Sequence, residues 1–556
     1  MKLPPFSVRA PFALCVLAAC LSAAPLAAQA EEREDLEKLR ATVLGLMDAL
    51  IKSGVLPRDK ADALMREAEK RATTTLAQSP PPEVGADGKK IVRVPYVPEA
   101  VKIQMREEIK AEVLAQTRAE GGPGPALTES GSRLRLEGDM RLRAEALRPD
   151  RGNTAASAYS IGNPDATRAP DLWANRNANT QESLERTRIR ARLGFNLDIA
   201  PTVTTGLALS TGNVTGPTST NQTMAQGSGG TPGYFNKYTV VVDKAYIKLD
   251  PVAGVSLSGG RFRNPFVATD LVWADDLNFE GLAVSARGPR MAETDTFVNA
   301  GWFPLSFGVP GSASSRNLVG LQGGLNWQLG TKDNRVKLAA ALYNYSGVEG
   351  VKQTTTDPAN TPGYLNSEYG SGYRQRGNTL FRIDTLPTYD TATNFGLASG
   401  FRLLDLTASL ELAQFDPLRL TVSGDLVRNL SFDRSRMSAR AGVAIGDGSG
   451  TGYLAKVQLG TAAIAKKDDW NVALSYRHLG SDAVLDAFTN SDFGGGGTNN
   501  KGFVIAGSYG LAKNTWVSGR WMSSDTIDSA VPAGTGTGIK TKYSIDTVQV
   551  DFNVRY

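Results

Sequence analysis

Four arginines, Arg186, Arg188, Arg190 and Arg192, recur at every second position. In an extended chain that spacing puts all four on one face. Ile189, Ala191, Leu193, Phe195 and Leu197 take the other face, with Asn196 and Asp198 continuing the polar row. Against a packed core each guanidinium would need a buried counter-charge, whereas against water the row costs little. What such a row can do is raise the local concentration of anions, with no bond made or broken. Arg141 and Arg143 repeat the spacing on an earlier stretch. If the two stretches pair antiparallel, these share one wall with Arg188 and Arg190. Arg261 and Arg263 would stand on a later strand, followed by Asp270, Asp275 and Asp276. A loop over 264–277 is therefore expected to narrow the enclosed space and to set acids against bases, since rings of charged side chains tune which ions pass a lumen. Two readings stay open. The wall prefers anions, or Glu137, Asp139 and Asp198 neutralise the arginines in a structural lattice.

Reaction chemistry finds little to work with. The chain has one histidine, His478, so no histidine metal cluster can be built. It lies beside Arg477 at the outer end of a strand and reads as a rim residue. A hydrolase would have to use it, yet nothing near it has the spacing of a nucleophile system. Gly494 to Gly497 feed a strand through Thr498, Asn499 and Lys501. That is the composition of a flexible loop, without the strand–loop–helix setting that cradles phosphate. Both cysteines, Cys15 and Cys20, fall in the first 30 residues, which argues against a disulfide framework in the mature chain. No catalytic residue, metal or cofactor is expected. The formal net charge of +5, from 61 basic and 56 acidic residues with the histidine neutral, is too weak to imply a nucleic-acid partner.

The elements that must position these residues are strands. Val548, Val550, Phe552, Val554 and Tyr556 alternate without a break with Gln549, Asp551, Asn553 and Arg555. Sixteen such segments can be read, at 133–146, 184–199, 203–212, 238–250, 253–263, 279–288, 294–303, 317–328, 334–345, 397–411, 417–428, 452–464, 468–479, 501–510, 514–523 and 543–556. Tight turns such as Pro201-Thr202 and Lys513-Asn514 alternate with long loops at 147–183, 213–237, 346–394, 429–451 and 480–500. Short turns on one rim, long loops on the other and an even strand number are the pattern of an outer-membrane barrel. Residues 437–446 are assigned to a loop, because a strand there would make the number odd. No run approaches the ~18 apolar residues of a spanning helix.

Before the barrel the chain changes character. Residues 1–30 read as a signal peptide, with Lys2 and Arg9, an apolar stretch and an Ala28-Gln29-Ala30 cleavage site. Leu17-Ala18-Ala19-Cys20 offers a rival lipoprotein reading. Leu36, Leu39, Val43, Leu46 and Leu50 form a heptad seam, so 31–75 is expected to be a helical hairpin or a short coiled coil. Residues 76–130 are expected to be a linker and a further helix, and 131–556 the barrel.

Gly259 to Phe266 (GGRFRNPF), Trp273 to Leu282 (WADDLNFEGL), Trp470 to Phe493, Gly502 to Leu511 and Tyr543 to Tyr556 resemble the putative porins of Gram-negative bacteria that carry a helical periplasmic extension. The resemblance implies an all-β transmembrane fold, an antiparallel barrel of about 16 strands preceded by a mostly α-helical segment. It implies a passive diffusion channel for small hydrophilic solutes in the outer membrane. It further implies a homotrimer, and Phe552, Val554 and Tyr556 as the signal read by the barrel-assembly machinery. Outer-membrane barrels more often end in Phe than in Tyr. The rival expectation is a structural tether, in which the barrel is an anchor and 31–120 bind peptidoglycan or a periplasmic partner.

Overall fold

The computed structural model describes residues 133–556 apart from loop stretches, of which 156–179, 353–366 and 384–394 are the longest. The signal peptide, the heptad hairpin and the linker with its helix lie outside the described residues.

Seventeen strand segments form one sheet. One of them, Gln222–Thr223, is a two-residue piece against the second strand. The other sixteen follow one another around a closed ring. They are β1 (Leu134–Pro149), β2 (Leu184–Ala200), β3 (Val203–Thr211), β4 (Val240–Val252), β5 (Val255–Arg263), β6 (Asn278–Arg287), β7 (Thr294–Ser306) and β8 (Arg316–Leu329). Then come β9 (Asn334–Ser346), β10 (Arg402–Phe415), β11 (Leu418–Asn429), β12 (Thr451–Gly460), β13 (Trp470–Leu479), β14 (Asn500–Ala512), β15 (Thr515–Thr526) and β16 (Ser544–Arg555). Each pairs antiparallel with the next, and β16 pairs with β1 from Asp139↔Arg555 to Pro149↔Ile545. Closure leaves no sheet edge to satisfy, which is the condition for crossing lipid with strands.

The last strand shows which face is which. Val548, Val550 and Phe552 are 41–47% exposed, while Thr547, Gln549 and Asp551 between them are 1–5% exposed. A soluble sheet would bury the apolar set. Here the apolar set faces out and the polar set faces in, as a barrel in hydrocarbon requires. Leu142, Leu193, Leu342, Leu426 and Ile505 continue the outer band on other strands. Trp302, Trp327, Tyr453, Tyr509 and Trp521 stand exposed among them, the amphipathic rings that suit a membrane interface.

Three segments depart from the sequence reading. The strand expected at 397–411 runs over Arg402–Phe415 instead. Phe395–Leu397 pairs with Leu380–Arg382 as a separate ribbon, and Ser399-Gly400 separate that ribbon from β10. The strand expected at 452–464 ends at Gly460, whose φ of +135° turns the chain. In the loop after β11, Arg434–Ala441 forms a helix, α1. The Asp433 side chain caps it by accepting the Arg436 N–H, and Gly442 ends it at φ +70°, a left-handed C-terminal stop that glycine supplies without strain.

The long connections carry the interior. The loop 264–277 after β5, the stretches 374–383 and 395–401, and the loop 480–499 all place buried residues inside the ring. Leu271, Val272 and Trp273 meet Tyr343, Leu403 and Val427 of the wall and Val484 and Leu485 of the 480–499 loop in one apolar cluster. This barrel is lined by polar wall and partly filled by its own loops.

Candidate functional site

Register makes the arginine wall. Arg141 lies opposite Arg190, Arg143 opposite Arg188 and Asp139 opposite Arg192 on β1 and β2. Arg143 faces Asp551 on β16. Like charges directly opposed across a ladder repel, so the wall needs acids, and it has them. Arg143 is fully buried. Its Nε and Nη2 donate to the two Asp551 oxygens at 2.7 and 2.8 Å, and its Nη1 donates to Asp492 at 2.8 Å. This is a forked, charge-assisted arrangement that Lys could not reproduce. Arg190 and Arg192 share Asp139 at 2.5 and 2.6 Å. Arg186 bonds Glu145, and Arg188 lies 3.7 Å from the same carboxylate. Arg141 donates to Asn221 and stands 3.8 Å from Asp551.

The loop 264–277 faces this wall from inside. Gln322 of β8 clamps Val267 by accepting its N–H at 2.8 Å and donating to its carbonyl at 2.7 Å. Thr269 Oγ1 donates to Asp425 of β11 at 2.5 Å. The Ala274 N–H donates to the Phe488 carbonyl at 2.8 Å. Between these ties Trp273 meets Phe279 and Tyr343 edge-on, at 4.9 and 5.1 Å between ring centres. A loop held at both polar and apolar contacts stays where it is put.

It puts its acids unequally. Asp275 and Asp276 line a cavity of about 370 Å³ together with Arg192, Lys244, Arg263 and Asp139. Asp270 turns aside, accepting from Asn490 at 3.2 Å with Arg477 at 3.9 Å. The protein crowded around the mouth of this cavity, reinforced by the neighbouring Asp270 and Asp276, pushes the Asp275 carboxyl up to about 6 although the side chain itself is exposed. Asp276 is also raised, by burial and then by Asp492, although it accepts the Ser219 N–H at 3.0 Å. Asp492 behaves oppositely. Burial would raise it, but Arg143, Arg520 and Arg188 outweigh burial and hold it well below the ordinary carboxylate range.

Of the residues singled out from sequence, Arg141, Arg143, Arg188, Arg190 and Arg192 come together on one wall. Arg263, Asp275 and Asp276 meet one of them, Arg192, at the cavity. Arg261 does not join the wall. Its Nε donates to the Asp243 carbonyl and its Nη1 to Glu280, both at 2.8 Å. Sequence reasoning missed Asp492 and Arg520, which pair at 3.0 Å. The signal for Asp492 was the Asn490-Ser491-Asp492 turn, in which Asn490 accepts the Asp492 N–H at 2.8 Å. His478 stacks on Tyr453 at 5.0 Å, apart from the arginine wall. At the other end of the barrel, Phe552 and Tyr556 are 46% and 56% exposed, and the Tyr556 hydroxyl donates to the Arg192 carbonyl at 3.1 Å. Among the described residues no group of three or more His, Cys, Asp or Glu is placed to hold a metal ion. No described helix is long and apolar enough to cross a membrane, which says nothing of strands.

Residues 40–556 match the family described as putative porin. The chain belongs to the putative porin family. No curated protein matches it. Among solved structures it is similar to OprB of Pseudomonas putida, at 11% identity and a TM-score of 0.39 over 77% of this chain and 96% of that one. It is similar to Salmonella typhi OmpF in complex with daunomycin, at 11% identity and 0.37 over 77% and 99%. OmpT, an outer membrane protein of Vibrio cholerae, shows 10% identity and 0.36 over 76% and 99%. With TM-scores this low the fold rests on the closed sixteen-strand ladder and on family membership. The putative porin is thus an outer-membrane β-barrel, with a charged wall facing an inserted loop.

Proposed function

We propose that this putative porin is a passive channel for small hydrophilic solutes, with no reaction at any residue. The observation that carries the reading is the inverted barrel wall, apolar outside and charged inside, with a loop pinned across it. Selection then comes from width and from charge. In the ion-pair network of the wall and the 480–499 loop against it, the cations Arg141, Arg143, Arg186, Arg188, Arg190, Arg192 and Arg520 number seven, and the acids Asp139, Glu145, Asp492 and Asp551 number four. Seven minus four leaves three positive charges, and Asp275 and Asp276 opposite them reduce this to one when both are ionised, so the proposed preference is for anions and is weak.

Liposome swelling tests the channel itself. Neutral sugars of rising size should enter protein-loaded vesicles at falling rates, with a size cutoff that a Trp273→Ala variant raises. Vesicles containing the folded barrel that swell no faster than empty ones would end the reading. Homotrimeric assembly and recognition of Phe552, Val554 and Tyr556 by the barrel-assembly machinery belong to the same proposal. The exposure of Phe552 and Tyr556 supports the second of these. The tether alternative depends on 31–120, which lie outside the described residues.

A further inference from the structure

Round the ring from the arginine wall, the inner faces of β9, β10 and β11 gather a second set of polar groups. Asp405 of β10 is 1% exposed and Asp425 of β11 is 4% exposed. Thr407 lies directly opposite Asp425, and Asp405 lies two residues along, opposite Val427. The two acids are therefore diagonal neighbours on one face, and their carboxyls meet. Asp425 Oδ2 is taken up by the inserted loop, since the Thr269 N–H and hydroxyl donate to it at 3.3 and 2.5 Å. Asp425 Oδ1, both Asp405 oxygens and Thr407 Oγ1 have no hydrogen-bond partner.

An ionised carboxylate buried without a counter-charge is among the costliest groups a protein can hold. Among the described residues, the one charge that acts on Asp405 is Asp425. Arg477 of β13 acts on Asp425, but its first counter-charge is Asp270, at 3.9 Å. With Arg477 and Asp270 offsetting each other, the two carboxylates stay without a cation of their own. Tyr343 of β9 adds a fifth oxygen. It is fully buried, it stands in the field of both carboxylates, and its hydroxyl has no hydrogen-bond partner. A hydroxyl beside a carboxylate ordinarily donates to it. Neither Tyr343 nor Thr407 does so here. Opposite Asp405 and Thr407, β9 carries Ala341 and Ala339, whose short side chains take up little of the space beside these oxygens.

We propose that Asp405 and Asp425, with the hydroxyls of Thr407 and Tyr343, form a binding site for a hard divalent cation of the size of calcium. The donor set is all oxygen, which suits calcium and not the softer transition metals. Calcium takes about six to eight oxygens in an adaptable geometry, which these side chains and water supply. One divalent ion also balances two carboxylates, whereas a proton shared between them would engage only two of the gathered oxygens. The ion would fix the Asp425 carboxylate that holds Thr269, and so brace the loop 264–277 against the wall. The site lies apart from the arginine wall and stands whether or not the lumen conducts.

The test is equilibrium dialysis of calcium against the refolded full chain in micelles, with magnesium in excess and matched empty micelles as the blank. Magnesium demands a tighter octahedral shell and sheds water reluctantly, so it should compete poorly. Saturable binding of calcium is expected, together with a higher guanidinium-chloride midpoint in calcium than in chelator. Asp405→Asn keeps the side-chain shape and removes one charge, and should weaken calcium about a hundredfold. Thr407→Val, a milder change that keeps both acids, should weaken it about tenfold. Circular dichroism checks that each variant retains the barrel. Absence of saturable binding would overturn the site. An Asp405→Asn variant more stable than the parent in calcium and chelator alike would then assign a shared proton to the pair. Calcium binding undiminished in both variants would place the ion elsewhere and overturn the site as well.

Discussion

Arg143 is the residue on which the wall turns. It is a fully buried cation between Asp551 and Asp492, and replacing it by Ala leaves two carboxylates facing each other without a counter-charge. Removing one partner of a buried pair costs about 3–5 kcal/mol, so the unfolding free energy of Arg143→Ala from guanidinium-chloride titration should fall by that amount, while that of Arg135→Ala should barely move. Arg135 pairs with Asp198 near solvent, 61% exposed, where an ion pair contributes about 0–1 kcal/mol. Asp275 gives a pH prediction. Its carboxyl is raised to about 6, so it is ionised above that pH and neutral below. As pH falls through this range the cavity loses negative charge, and the reversal potential should move toward anions. Asp492 is held low and stays charged throughout. Asp275→Asn should begin near the acid value and lose most of the shift, and an undiminished shift in that variant would assign the titration elsewhere. The wall arginines were legible because a period of two is a local property. Asp492 was not, since its partner Arg143 is 349 positions away and no local pattern encodes that meeting.

The pinned loop 264–277 is the element proposed to narrow the lumen. Trp273 carries much of its packing, through Phe279, Tyr343 and Phe488. Trp273→Ala should cost about 3–5 kcal/mol and raise single-channel conductance as the loop loosens. Loss of stability without any gain in conductance would mean the loop does not limit flow. Gly281 lets β6 lie close against the Trp302 carbonyl of β7. Gly281→Ala forces a Cβ against the Trp302 carbonyl at a φ that side chains rarely adopt, a strain of order 1–3 kcal/mol that the unfolding midpoint should report. At this scale the sequence showed strands well wherever apolar-out, polar-in alternation was clean, as in β2 and β16. It placed β10 too early because Phe395–Leu397 has strand composition but spends it on a short ribbon with Leu380–Arg382. The glycine-, serine- and threonine-rich loops announced turns. Nothing in such a composition says whether a loop stands out in water or folds into a lumen, and the filled interior was therefore invisible.

For the whole molecule the balance of terms is unlike that of a soluble domain. The outer face gains its stability from lipid, the ladder pairs every strand with both of its neighbours, and the charged wall is tolerated because carboxylates and loop dipoles surround it. A net charge of +5 over 556 residues gives no hint of this segregation, which exists only once strands far apart in sequence are brought into register. The measurement that tests the central claim most directly is single-channel recording of the refolded protein in a planar bilayer under a KCl gradient. Discrete openings with a reversal potential on the anion side are predicted, with that bias reduced in Arg141→Gln. Openings with a cation bias would contradict the arginine wall as the selecting feature, and a correctly folded barrel that stays silent would contradict the channel.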